Sequence, residues 1–342
     1  MFNIKSLCYC FVVGSLVLGV LAVQAETTTI PSHQVIQFNH VSASYRIPVV
    51  VGVSLSQDGQ QLITVGDDHK ARVWDVQTGR LVRELADQAD WVRTVKFRPD
   101  GEVFVTGGMD QNMYCYDART FQRKFQFESN RCAVRAVAFS EDSERMAMVG
   151  FDNSVCVYET TYGRLHRRWT TTCTDQRCVE FSPSSHYMAA AGRDGNVRVF
   201  DTTTGAVVAD LKKHIRRVNT VAFSPDGSVL ATGGDDQKIH LWSMKDYKHL
   251  KELDYPSGKV TALTFCGDNL LAAGSANNKI YVWDIHTNAV PMYEMNEHQG
   301  TVAELLWDQT HKTLISCSFD TTVRFWKWEQ ADVAAAEASV VR

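Results

Sequence analysis

Apolar and polar residues alternate most regularly between His214 and Ser243, in HIRRVNTVAFSPDGSVLATGGDDQKIHLWS. Three short runs stand out: Val218 to Phe223, Val229 to Thr232, and Ile239 to Trp242. Between them lie Ser224-Pro225-Asp226-Gly227 and the polar stretch from Gly233 to Lys238, both rich in residues that reverse the chain. Period-two alternation interrupted by such turns predicts a three-stranded antiparallel meander. The same unit recurs in weaker copies. An aromatic residue closes each third run, at Trp74, Tyr116, Tyr158, Phe200, Trp242, Trp283 and Trp326, in steps of 42, 42, 42, 42, 41 and 43 residues. A fixed period near 40 residues with about four strands in each predicts radially repeated blades.

Six residues before each aromatic stands an acid or its amide: Asp68, Asp110, Asp152, Asp194, Asp236, Asn277 and Asp320. In the tight turn between the second and third strands, a short acid can accept hydrogen bonds from backbone N–H groups. The aromatic is followed by an acid in Trp74-Asp75, Tyr116-Asp117, Tyr158-Glu159, Phe200-Asp201 and Trp283-Asp284. At these residues, and over essentially all of positions 33–328, the chain resembles the WD-repeat (WD40) family. The resemblance implies a network of His, Ser or Thr, Asp and Trp in each blade. Two sets are complete: His214, Thr232, Asp236, Trp242 and His298, Ser316, Asp320, Trp326. Elsewhere the His position carries Arg46, Gln88, Asn130, Thr172 or Pro256, and Met148, Ala190 and Ala273 replace the hydroxyl. Those blades are expected to lean on apolar packing, with blade six the least pinned.

Outer strands are predicted at Leu81 to Leu85, Gln122 to Phe127, Leu165 to Trp169, Val207 to Leu211, His249 to Leu253 and Val290 to Met295. After Trp326 none remains. The β-like segment Gln34 to Phe38 is the candidate to complete the last blade and cover its open edge. The expected fold is therefore all-β: a seven-bladed β-propeller of four-stranded antiparallel blades, closed by an N-terminal strand. It would occupy 33–328, after a linker at 26–32 and before an Ala-rich tail at 329–342.

Residues 1–25 differ in character. Lys5 precedes an uncharged apolar run from Leu7 to Val23 that ends in Val23-Gln24-Ala25, the pattern of a signal peptide cleaved after Ala25. The expectation is a secreted or periplasmic protein; an uncleaved anchor holding a cytoplasmic scaffold is the alternative. Cleavage would remove Cys8 and Cys10 from the nine cysteines, and the odd remainder leaves at least one thiol unpaired. Cys173 and Cys178 are near enough in sequence to bridge, with buried free thiols as the simpler reading. The formal net charge of -4 gives no reason to expect nucleic acid or membrane as partner.

Enzyme constellations are absent from the sequence: there is no GxGxxG, phosphate loop, HExxH, GxSxG or CxxCH. Asp67-Asp68 and Asp235-Asp236 are paired carboxylates, but the second of each already belongs to a turn. The histidines show no ligand spacing, and His69, His166, His240, His249 and His286 read as solvated or packed. The expectation is a non-catalytic protein with no metal and no cofactor; the alternative is an enzyme with an unrecognised site at the channel mouth. The informative chemistry lies where the resemblance places the rim of the central channel. Arg93, Arg135 and Arg177 share one repeat position in three consecutive blades, and Arg193, Arg217 and Lys259 extend the arc. Trp91, Met109, Phe151 and Phe319 add apolar surface between the charges. Arginine beside aromatics is the composition of binding hot spots, and guanidinium forks suit carboxylates and phosphates. The implied function is a protein-interaction scaffold for an acidic or phosphorylated segment. The plainer alternative is a solvated rim, with these cations paired to Asp67, Asp175 and Asp235.

Overall fold

A computed structural model describes residues 27–38, 47–128, 131–287 and 290–328. These fold into seven sheets and no helix. Blades one to five each take four consecutive antiparallel strands, such as Val50–Leu55, Gln61–Gly66, Ala71–Asp75 and Leu81–Leu85 in blade one. Blade seven takes three strands from the C-terminal end, Val302–Asp308, Thr313–Ser318 and Thr322–Trp326. Its fourth is Ser32–Gln37, antiparallel to Thr322–Trp326 with Ile36 opposite Val323. The ring is thus closed by an N-terminal strand, two residues earlier than the apolar spacing suggests. Thr28–Thr29, expected as linker, runs parallel to Tyr293–Met295 as a fifth strand of blade six. The apolar run at 1–25 and the Ala-rich tail lie outside the described residues.

The second and third strands are buried on both faces and pack blade against blade, so each core cluster takes residues from neighbouring blades. The first strands line the central channel, and each carries a register shift between its first and third residues. In every blade the second residue is therefore an unpaired extra one, a β-bulge that turns its side chain away from the sheet. Close packing accompanies it. The carbonyls of Trp91, Ala133, Asp175 and Arg217 approach the glycine ending the second strand so closely that a Cβ on Gly108, Gly150, Gly192 or Gly234 would lie 2.1–2.4 Å away. Glycine is required there by space rather than by backbone angle.

The turn acids are all engaged, by different partners. His214 Nδ1 meets Asp236 at 2.9 Å and its Nε2 meets Thr232 at 2.9 Å, while Trp242 Nε1 donates to Thr232 at 3.0 Å. His298, Asp320, Ser316 and Trp326 repeat this at 2.7–2.8 Å. In blade one Trp74 Nε1 donates to Thr64, and Asp68 is held by Arg72. Arg198 holds Asp194 in the same way at 2.6 Å. Asp110 accepts the N–H of Ala89 and Asp152 that of Ser154. In blade six Asn277 donates to the carbonyl of Ser257, and the buried Trp283 Nε1 has no hydrogen-bond partner among the described residues.

All seven cysteines among the described residues are buried free thiols, Cys173 and Cys178 included. Desolvation pushes the thiols of Cys115 and Cys178 up to about 12.

Candidate functional site

The bulge places Val51, Arg93, Arg135, Arg177, Asn219, Thr261 and Ala303 in one layer around the mouth of a channel cavity of about 750 Å³. Three of the seven are arginines in consecutive blades. Just outside them, the residue before each turn acid is tied to the same ring: the N–H groups of Met109, Phe151, Arg193, Asp235 and Phe319 donate to the carbonyls of Trp91, Ala133, Asp175, Arg217 and Thr301 at 2.8–3.3 Å. One backbone motif thus brings together the two sets of rim positions that the sequence keeps 16–18 residues apart.

The cations divide into two groups. Arg177 is paired with Asp175 at 2.9 Å, Arg217 reaches the same carboxylate at 3.4 Å, and Lys259 lies 3.8 Å from Asp235. Those three fit the solvated-rim alternative. Arg93 and Arg135 make no ion pair with a described carboxylate; a buried Nε without a hydrogen-bond partner among the described residues is common to both groups, at Arg93, Arg135, Arg177 and Arg217. Burial pushes the Arg135 guanidinium down to about 10, and the neighbouring Arg93 and Arg177 push in the same direction. Burial and Arg177 also lower Arg93, which Asp90 and Asp67 partly offset. Like charges held together in a poorly solvated mouth favour any anion that enters between them.

Aromatic rings order the arc. The Arg93 guanidinium lies 4.7 Å from the Trp91 ring and that of Arg177 lies 5.2 Å from Phe151. Trp91, Phe151 and Phe319 remain 37%, 38% and 45% exposed. Met109 is half-buried and Arg193 exposed. Sequence reasoning missed Ile215, 87% exposed beside the network residue His214; an isolated apolar residue in a polar loop is the signal that could have found it. It also missed the charges deeper in the channel. Lys96 pairs with Glu304 at 2.5 Å, and Glu304 accepts the N–H of Val53 at 2.9 Å over the bare Cα of Gly52. Glu180, opposed by no described ion pair, is pushed up to about 8 by burial despite the favourable field of Lys96.

Residues 87–340, about three quarters of the chain, match the family described as "Nucleolar protein 10-like, N-terminal domain". Residues 38–75 match "WD domain, G-beta repeat". A segment of 61 residues is 33% identical to Cell division control protein 4 of Saccharomyces cerevisiae, covering 18% of this chain and 8% of that protein. The chain thus spans only a small part of that relative's length. The long match overturns one expectation: a family described as nucleolar is intracellular, so the protein is not assigned to the secreted or periplasmic space, and the signal-peptide reading of the N-terminal apolar run has no support.

Proposed function

This chain belongs to the family of nucleolar protein 10-like N-terminal domains, and from that premise we propose that its channel mouth captures an acidic or phosphorylated segment of a partner protein. A WD-repeat propeller fits an interaction scaffold in general. The observation that carries the finer reading is the pair Arg93 and Arg135: adjacent bulge residues that make no ion pair with a described carboxylate, in a mouth where Arg177 adds a third guanidinium. Charge held this way, only partly offset by the fields of Asp90, Asp67 and Glu304, is complemented by an anion from outside. A phosphate or carboxylate can accept fork-like hydrogen bonds from two guanidinium groups at once. Trp91 and Phe151, stacked with Arg93 and Arg177, supply apolar ground beside it for the flanking side chains of the same segment. The role is non-catalytic, and the family description directs the search for the partner to the nucleolus.

The test is a peptide array of acidic sequences in phosphorylated, unphosphorylated and charge-reversed forms, probed with the wild type, with Arg93→Glu/Arg135→Glu/Arg177→Glu, and with the milder Arg135→Met. Wild type is expected to retain acidic and phosphorylated peptides, the triple variant to lose them, and Arg135→Met to weaken them by roughly tenfold, about 1.4 kcal/mol. Equal retention by all three proteins, each checked for an intact fold, would sink the reading.

A further inference from the structure

In blade one a buried guanidinium lies between two acids. Arg72 contacts Asp68 of the turn at 2.5 Å and Glu84 of the outer strand at 3.2 Å. Arg198 and Arg324 hold the same place in blades four and seven, each two residues before the aromatic that closes the third strand, and each bound to an acid. Blade five keeps both acids and loses the arginine. Asp236 is its turn acid, and Glu252 stands opposite His240 as Glu84 stands opposite Arg72. An imidazole, His240, stands in the arginine's place.

A second substitution accompanies the first. Opposite Trp74 in blade one stands Leu81, whereas opposite Trp242 stands His249. Its Nε2 lies 3.1 Å from His240 Nδ1, and Glu252 Oε2 lies 3.9 Å from that same nitrogen.

We infer that a divalent transition-metal ion of the zinc class binds between His240 Nδ1, His249 Nε2 and the Glu252 carboxylate, where a guanidinium stands in blade one. Tetrahedral bonds of about 2.0–2.1 Å set ligand atoms roughly 3.3 Å apart, so the two nitrogens need to part only slightly. The carboxylate closes the remaining gap by turning from its present partner Lys238. His214 is not a ligand, because Nδ1 is committed to Asp236 and Nε2 to Thr232. It packs edge-on to His240 at 4.6 Å, with Trp242 at 6.1 Å, and these rings fix the direction of the ligating nitrogen. His240 is 4% exposed, while His249 and Glu252 reach solvent and leave room for water as a fourth ligand. The ion would tie the third strand of blade five to its outer strand. The site stands apart from the channel mouth and does not depend on what binds there.

The test uses the full chain, stripped with chelator and titrated with zinc by calorimetry, then with cobalt followed by visible absorption. One equivalent is expected with micromolar or tighter affinity, with a cobalt spectrum of nitrogen and oxygen ligation, and with zinc raising the unfolding temperature. His249→Leu, which installs the residue of blade one, is expected to keep the fold and lose about a hundredfold or more in affinity; Glu252→Gln loses less. No stoichiometric uptake would show a plain hydrogen-bonded histidine pair and overturn the inference. Equal uptake by His249→Leu, or a thiolate band in the cobalt spectrum, would place the ion elsewhere and overturn it too.

Discussion

Blade six offers a gain of stability from a single hydroxyl. Trp74, Trp242 and Trp326 each donate their indole N–H to a hydroxyl on the second strand, Thr64, Thr232 or Ser316, at 2.8–3.0 Å. Trp283 is fully buried with no acceptor among the described residues, and Ala273 stands where the hydroxyl would be. A buried donor left unmade costs about 1–3 kcal/mol, and a made bond contributes about 0.5–1.5 kcal/mol net. Ala273→Ser adds one oxygen at the position where other blades hold a larger threonine. It is expected to stabilise the protein by about 1 kcal/mol, a rise of roughly 2 °C in Tm for a chain of this size. Denaturant midpoints at constant m value measure it. Thr64→Val is the reverse experiment in blade one: it keeps the shape, strands Trp74 and should cost about 1–3 kcal/mol. Thr232→Val should cost more, since it strands both Trp242 and His214. If Ala273→Ser is neutral or destabilising while Thr64→Val is costly, the Trp283 N–H is satisfied in some other way and the reasoning fails.

Glu180 binds its proton more tightly in the folded channel than in the unfolded chain, its pKa being raised to about 8 from 4.5. Folded protein therefore holds more protons across that window, and stability falls as pH rises through it, by at most about 1.4 kcal/mol per unit before discounting for solvent in the channel. Glu180→Gln should flatten this slope in denaturation curves between pH 5 and pH 8, and an unchanged slope refutes the assignment. Ile36, 2% exposed on the closing strand, is the key residue of ring closure. Ile36→Asp is expected to detach Ser32–Gln37 and expose the edge of Thr322–Trp326, giving self-association measurable by light scattering. A monomer of wild-type stability would contradict that.

The number of blades, their boundaries and the closing strand were legible because the aromatic and the turn acid recur at one spacing, and each has a mechanical reason for its place. The three arginines were legible for the same reason. What alternation could not convey was the bulge, since one extra residue in a strand leaves the apolar pattern intact and changes only where Arg93, Arg135 and Arg177 point. The sequence named Asp175 as a partner for the rim cations but not which of them it would take: Asp175 meets Arg177 and Arg217, and Arg93 and Arg135 are left without an ion pair to a described carboxylate. Partner exchange in the turn networks was similarly hidden: Arg72 and Arg198 take up Asp68 and Asp194 from within the third strand, so the absent histidines of blades one and four do not leave their acids loose. The compartment was misread for a plainer reason. An apolar run after a single lysine has the composition of an export signal, and composition alone carries no address.

The strand that closes the ring also sets a clock on its assembly. Ser32 and Arg324, joined by a hydrogen bond at 3.1 Å, are 292 residues apart in the chain. At synthesis rates of about 5–20 residues per second, roughly 15 to 60 s pass between the appearance of the first and of the second. Throughout that interval the backbone of Ser32–Gln37 has no strand partner, although Ile36 and Phe38 can already pack against Leu62 and Trp74 of blade one, while blades one to five, each built from consecutive strands, can form in turn. Ring closure therefore waits for blade seven, and until Thr322–Trp326 is made the nascent chain must keep the backbone of Ser32–Gln37 from pairing elsewhere.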